Sequence, residues 1–457
     1  MGLSINKNLS SLGIQRNLVN ANTTLSKTLL QLSSGQRINS GADDPSGLTI
    51  SELLRAQLES ISQANENTQY ADNLVSTAEG ALNETSSLLV RARELAVKAA
   101  NTGTMDKEQQ AATQAELNSI LNQIDRIGNT TKYGSKSLLN GNGDFDVANV
   151  DSGIERIDIQ TADPNAFPAD VAIRVDAEAT QADSGAIQDA TDDTTITIRG
   201  AQGSVELSFA AGTSASDIAD AINAESENTG VAVQGGNLVS TDVGSDQYVD
   251  VETIEGAGVG VAEGTTEGTD VEATVNGEQV SAQGNTITID NGAMKGEVEL
   301  ADTVTAGDEL SFEIEGGGLV FQLGDGAGEQ RAIGISAVNT TSLGQTDDGA
   351  LYTLRSGGGN SLSENPSAAL RIIDQAISDI ATTRAELGAF QTNTLQTNVN
   401  ALDIAFENLT ASESRIRDLD YAVGIMSKVQ SQIQQNAGVS LMSQSNLSRL
   451  SVLQLLG

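Results

Sequence analysis

"LSSGQRINSGADDPSGLTIS", Leu32 to Ser51, sets three glycines, a proline and a run of Ser, Asn and Asp between two long helical patterns. Before it, Leu18, Leu25, Leu29 and Leu32 fall three, four or seven residues apart, which places them on one helix face. After it the pattern resumes with Ile50, Leu54, Leu58 and Ile61, then Ala71, Val75, Ala78 and Leu82, and on through Leu88, Ala92, Leu95 and Ala99. Past Gly47 only Gly80 interrupts this run and no proline does, so the spacing predicts a helix on the order of 75 Å long at 1.5 Å per residue. The turn formers of residues 32–51 therefore separate one helix from the next. "NTGT", Asn101 to Thr104, should end the second. Asp106 with Gln109 three residues on reads as a capping box for the following helix, whose seam is Leu117, Ile120, Ile124 and Ile127.

The C-terminal region has the same texture. Asn365 followed by Pro366 is a helix start, an N-cap and then a proline at the first position. Leu370, Ile373, Ile377, Ile380 and Leu387 form one stripe, and Leu395, Val399, Leu402, Phe406 and Leu409 a second. Met426, Val429, Ile433, Ala437 and Leu441 form a third, and the chain closes on "LSRLSVLQLLG". The terminal stripes, Leu18–Leu32 and Met426–Leu441, have little neighbouring sequence to cover them, and undocked termini fray. They are predicted to pair with each other and with other copies of the chain.

Between these ends the composition changes. Residues 141–360 hold 33 of the 46 glycines and carry 40 acidic against 6 basic residues. The net charge of −38 therefore resides almost wholly there, with 22 acids and 18 bases left for the two ends. Alternating runs such as "TITIRG", "NTITID" and "ELSFEIEG" read as half-buried strands, with one helix in "SDIADAINAES" capped by Ser216. The expected fold is α+β and multidomain: a long, coiled-coil-like helical bundle from paired N- and C-terminal segments, with a β-rich, Gly/Asp-rich insertion of one or two subdomains.

Composition also limits the chemistry. There is no cysteine and no histidine, which removes thiolate catalysis, sulfur-based zinc sites and the commonest general base. So acidic a surface repels nucleic acid and anionic membranes, and no apolar run reaches membrane-spanning length. "GAGVG" and "GDGAG" lack the Gly-Lys-Ser/Thr ending of a phosphate loop and read as turns. Asp144, Asp146 and Asp151 have some of a calcium-loop spacing but not its glycine or distal glutamate. The sequons at Asn8, Asn129 and Asn408 are what Asn- and Thr-rich sequence yields by chance. The N-terminus has no apolar signal region. A non-catalytic, structural or binding protein is expected.

With these segments laid out, the chain resembles bacterial flagellin at both ends. The likeness rests on "INKNLSSLGIQRNL", "LSKTLLQLSSGQRINSGADDPSGLTIS", "AEGALNETSSLLVRARELAVKAAN", "ALRIIDQAISDIATTRAELGAFQTN", "NLTASESRIRDLDYA" and "SVLQLLG", and covers about half the chain. "TITIRGAQGSVELSFAAGTSASDIADAINAESENTGVAV" resembles a module shared by flagellins and hook-associated proteins. The resemblance implies that residues 1–44 and 407–457 build an inner tube, packed through Leu18, Leu25, Leu29, Leu32, Met426, Val429, Ile433 and Leu441. It implies an outer tube from residues 45–141 and 319–406, and an outermost acidic insertion, 142–318. The opening stretch becomes a spoke between the tubes, with Gly35, Arg37, Gly41, Asp43, Pro45 and Gly47. Pro45 and Ser46 stand where the family usually has alanines.

A flagellin is a self-polymerising filament subunit for swimming, requiring no cofactor. It leaves the cell through the flagellar type III channel, with an export chaperone on its C-terminus and cap and hook-associated proteins as neighbours. The family's contact motif for a vertebrate innate immune receptor maps onto Arg91, Leu95 and Glu116. Two rivals share these features: a hook–filament junction protein, and an adhesin acting through the insertion.

Overall fold

The computed structural model describes residues 9–101, 106–346 and 348–456, with side chains from residue 11 to 447. Asn8, Thr102–Thr104 and the side chains of the leucine-rich last ten residues lie outside the described residues. Eight α-helices are described: α1 (Leu9–Ser34), α2 (Pro45–Ala100), α3 (Lys107–Thr130), α4 (Ala215–Asn223), α5 (Ser226–Thr229), α6 (Pro366–Ala389), α7 (Thr397–Arg417) and α8 (Tyr421–Leu456). The chain forms two compact units. One comprises Met1–Thr68, Gly324–Gly326 and Gln396–Gly457; the other comprises Gln69–Leu323 and Ala327–Leu395. The division falls at Thr68 and Gln396.

In the first unit, α1 runs beside α8, and α7 packs on the opening turns of α2 through Ile61, Ala64 and Leu402. Asn65 and Asp403 are bonded at 2.9 Å across that contact, and Asn398 donates to the Thr68 hydroxyl.

The second unit holds three cores. Its helical core joins α2 beyond Ala71 with α3 and α6, burying Leu82, Leu89, Leu117, Leu121, Ile124, Ile373, Ile380 and Leu387. Asp106 caps α3 with the expected capping box, and Asn365 and Pro366 open α6. A π-helical segment, Phe390–Gln396, follows α6 and buries Phe390 and Leu395 five residues apart, a phase that 3.6-residue periodicity does not foretell.

The insertion is antiparallel throughout its described sheets. A six-stranded sheet, ordered Ser281–Gln283, Thr286–Asn291, Met294–Leu300, Ile154–Ala162, Gln330–Ile333 and Leu319–Gln322, faces a five-stranded sheet around Ile159, Ile173, Val175, Ile287, Val298 and Phe312. Alternation sets which side chains enter: Val171, Ile173 and Val175 point inward, and Asp170, Arg174 and Asp176 outward. The hairpin Leu319–Gln322/Gln330–Ile333 also contributes Leu319 and Ile333 to the helical core, so one sheet ties both cores together.

A separate core gathers Ile196, Ile198, Val249 and Val251 with Ile218 and Ile222 of α4. That helix is capped by Ser214, not Ser216, because its backbone turns helical two residues earlier and the Ser214 hydroxyl accepts from the Asp217 N–H.

Candidate functional site

The stretch between α1 and α2 is built bond by bond. Gly35 adopts φ +74°, the left-handed cap that lets its N–H reach Gln31 O at 2.9 Å and end α1. Arg37 donates from its backbone to Arg417 O and from Nε to Ile416 O, at the C-terminal end of α7 where carbonyls lack helical partners. Leu419 N returns a bond to Gly35 O at 2.9 Å.

Asp43 accepts from the N–H groups of Asn39 and Ser40 and pairs with Lys27 Nζ at 2.8 Å. The Lys27 ammonium holds the Asp43 carboxyl down at about 2, with the Asn39 and Ser40 bonds assisting against a smaller opposing effect of burial. Asp44 caps α2 by accepting from the Gly47 N–H at 2.9 Å, and Pro45 occupies the first helical position, where its missing N–H costs nothing. A side chain at Gly47 would collide with Asp44 and Ile38. One at Gly41 would meet Leu48 in ordinary contact, at 3.7 Å.

The terminal helices meet along a seam that includes Leu18, Leu25 and Leu32 of the α1 stripe. On α1 the covered face is Leu18, Ala21, Leu25, Thr28 and Leu32, while Leu29 turns outward. On α8 the covered positions are Gly424, Ser427, Ser431, Gln435, Gly438 and Met442, a three-four repeat of mostly small residues. A Cβ on Gly424 or Gly438 would stand 3.1 Å from Leu32 or Leu18, respectively, so the glycines permit the helices' close approach. Tyr421 donates its hydroxyl to Leu32 O at 3.0 Å.

Met426, Val429, Ile433 and Leu441 do not enter this seam. They remain exposed, Met426 at 63% and Ile433 at 62%, alongside Val423, Ile425 and Val439. The expected pairing of the two termini is thus made by small residues, because only they let two helix backbones approach closely. The larger apolar side chains stay uncovered on the outer arc of α8. Neither α1 nor α8 contains a single carboxylate, in a chain of net charge −38; between them they carry Arg16, Lys27, Lys428 and Arg449.

Arg91 and Glu116 lie together at the surface of α2 and α3, paired at 2.8 Å, with Glu94 on Arg91 Nη1 at 2.6 Å. Leu95 does not belong to that surface: at 2% exposure it packs in the helical core beneath, so it supports the pair rather than presenting a contact.

Among the described residues no three acidic side chains are arranged to hold a metal. Asp151 accepts from the Ser311 N–H and hydroxyl of a distant strand, and Asp144 accepts from the Phe145 N–H. No helix among the described residues is long and apolar enough to cross a membrane.

Comparison with known proteins agrees with this arrangement. Residues 5–144 match the family model for the bacterial flagellin N-terminal helical region, 370–456 that for the C-terminal helical region, and 195–246 the flagellin hook IN motif. A flagellin of Clostridium tyrobutyricum is 31% identical over 97% of this chain and 98% of its own length. A flagellin of Salmonella muenchen is 30% identical over the whole of both. A solved FliC from Burkholderia pseudomallei is 16% identical with a TM-score of 0.24, covering 72% of this chain and 99% of that one; the assignment rests on the sequences. From the caps of residues 32–51 to the outward apolar arc of α8, the chain belongs to the bacterial flagellin family.

Proposed function

We propose that this chain is the subunit of an extracellular flagellar filament and polymerises by burying the outer arcs of α1 and α8 against sister copies. The supporting observation is the pairing of two properties on those helices: exposed large apolar side chains and a complete lack of carboxylates. Burial of apolar surface contributes roughly 25 cal/mol per Å². Placing these faces together brings no acid against acid, whereas the surface of residues 141–360, with 40 acids against 6 bases, would. Swimming motility follows mechanically, and no step requires catalysis. Residues 32–51, tied by Arg37 to the end of α7 and by Gly35 to Leu419 in the turn before α8, serve in this reading as the spoke between an inner and an outer tube.

Before assembly the same arc of α8 suits an export chaperone, which would cover it during type III export. Cap and hook-associated proteins would meet it at the filament ends. Arg91 and Glu116 offer a vertebrate receptor a paired charge at the surface. The relatives that match over the full length are named flagellins, and no observation favours the junction-protein or adhesin readings.

Removal of Tyr421–Leu456 tests the proposal. The shortened chain should keep the melting transition of its helical core and stay dispersed when salt is raised to induce assembly. Filaments of normal length in electron micrographs of that variant would overturn it.

A further inference from the structure

The inner face of α6 meets the insertion at a small, unusually acidic joint. The joint encloses a cavity of about 300 Å³ between Gln375, Asp379 and Thr383 of α6 and Ile157, Asp158 and Glu297 of the sheet. Beside it, Gln160 Nε2 donates to Glu386 Oε1 at 2.8 Å, bonding the strand Ile154–Ala162 to α6.

The groups facing Glu386 are mostly of its own sign. The strand Ile154–Ala162 contributes Asp158, and the strand Met294–Leu300 contributes Glu297. The cations are occupied elsewhere. Arg156 turns to Glu299 at 3.2 Å, Lys295 to Asp290 at 3.6 Å, and Arg331 of the neighbouring strand lies toward Asp163. On α6 itself, Asp379 already accepts from Gly344 N and Gln375 Nε2 and adds negative charge near Asp158. Arg384 makes no ion pair with Glu386 among the described residues, and its Nε is without a hydrogen-bond partner. An ionised Glu386 here would be partly desolvated and faced mainly by carboxylates, with only Lys295, already paired with Asp290, acting in its favour among the charged groups.

We propose that the α6 face bearing Glu386 is a pH-responsive joint, which holds the insertion against the helical core while Glu386 carries a proton and loosens when that proton is lost. Burial first, then Asp158 and Glu297, push the Glu386 carboxyl up to about 8, with the Gln160 bond and the Lys295 ammonium opposing. Burial raises Asp158 as well.

The sign follows from proton counting. Below the ordinary carboxylate range both docked and loosened states are protonated, and opening is independent of pH. Between that range and about 8, the docked state holds a proton that the loosened state releases, so docking weakens as pH rises. Above about 8 both states are ionised and Glu386 contributes no further change. The strand Gln330–Ile333, shared by both cores, keeps the insertion attached when the α6 contact opens.

The chain has no cysteine, so a single Val338→Cys reports on the joint: Val338 lines the cavity and is buried. Its labelling rate in the full-length protein, divided by that of a model thiol at each pH, measures opening. Between about pH 6 and 8 this ratio should climb by about tenfold per pH unit and then level off. Adding Glu386→Gln should leave it flat, and adding Asp158→Asn should move the rise to lower pH. A flat ratio in the parent, or an undiminished slope with Glu386→Gln, overturns the proposal. Should Glu386→Gln not fold, a carbon-NMR titration of the Glu386 carboxyl in the parent chain decides: titration in the ordinary carboxylate range refutes it.

Discussion

Asp43 and Asp44 are adjacent and chemically identical, yet they hold different segments of the chain. Asp43 gathers two backbone N–H groups of the crossing and the Lys27 ammonium of α1, while Asp44 caps α2. Replacing Asp43 with Asn removes the charge that Lys27 pairs with and weakens both N–H bonds. Amide exchange at Asn39 and Ser40 should accelerate several-fold, with α2 beyond Leu54 unaffected. Because Lys27 holds the Asp43 carboxyl at about 2 rather than 3.8, this restraint is complete above the ordinary carboxylate range and is lost as pH falls through about 2. Protection of the same two amides, taken relative to their intrinsic exchange rate and followed downward in pH, should fall in that window. Protection that changes only above about pH 5, where a depressed carboxyl is already fully ionised, would contradict the assignment.

Among the helices, the seam of α1 and α8 depends on small residues. Gly424 lies 3.1 Å, by its would-be Cβ, from both Leu32 and Leu419. Alanine there would gain about 1 kcal/mol of helix propensity and nearly offset the cost of shifting those leucine ends. Valine adds two methyls that have nowhere to go, at a cost of about 1–3 kcal/mol from overpacking. Gly424→Val filaments should therefore dissociate at a lower temperature than Gly424→Ala filaments, measured by the loss of light scattering on heating. Equal temperatures would show that the seam is looser than described.

The helices themselves were legible: the capping box at Asp106, the start at Asn365–Pro366 and the long α2 all lie where spacing put them. The buried face of α8 was not. Hydrophobic periodicity weights Met426, Val429, Ile433 and Leu441 and passes over a repeat of Gly and Ser, which carries no apolar signal. Leu95 lies in the core, as its place in the apolar stripe with Leu88, Ala92 and Ala99 indicates, while Arg91 stays at the surface.

At the scale of the whole molecule, charge is divided by position along the chain. Residues 141–360 hold 40 acids against 6 bases, and α1 and α8 hold no acids. In a polymer that buries the termini and presents the insertion outward, neighbouring insertions repel. Salt confines that repulsion to about 8 Å at physiological strength, whereas it reaches about 30 Å at roughly 0.01 M. Filaments should therefore dissociate at lower temperature in very dilute buffer than at about 0.15 M salt. Excising Asn142–Gly318 should abolish most of that difference, and a salt-independent dissociation temperature in the full chain would remove the argument.

The order of the helices, the caps at Asp106 and Asn365, the acidic β-rich insertion and the separation of charge from apolar ends were determined by sequence alone, because helix starts are set by neighbours within a few residues and charge and apolar content by composition along the chain. Only the tertiary structure decided which arc of α8 is covered, that Arg91 pairs with Glu116, and that Asp158 and Glu297 converge on Glu386. Those relations join side chains from distant stretches of the chain, and their energies depend on distance and desolvation, which residue order does not encode.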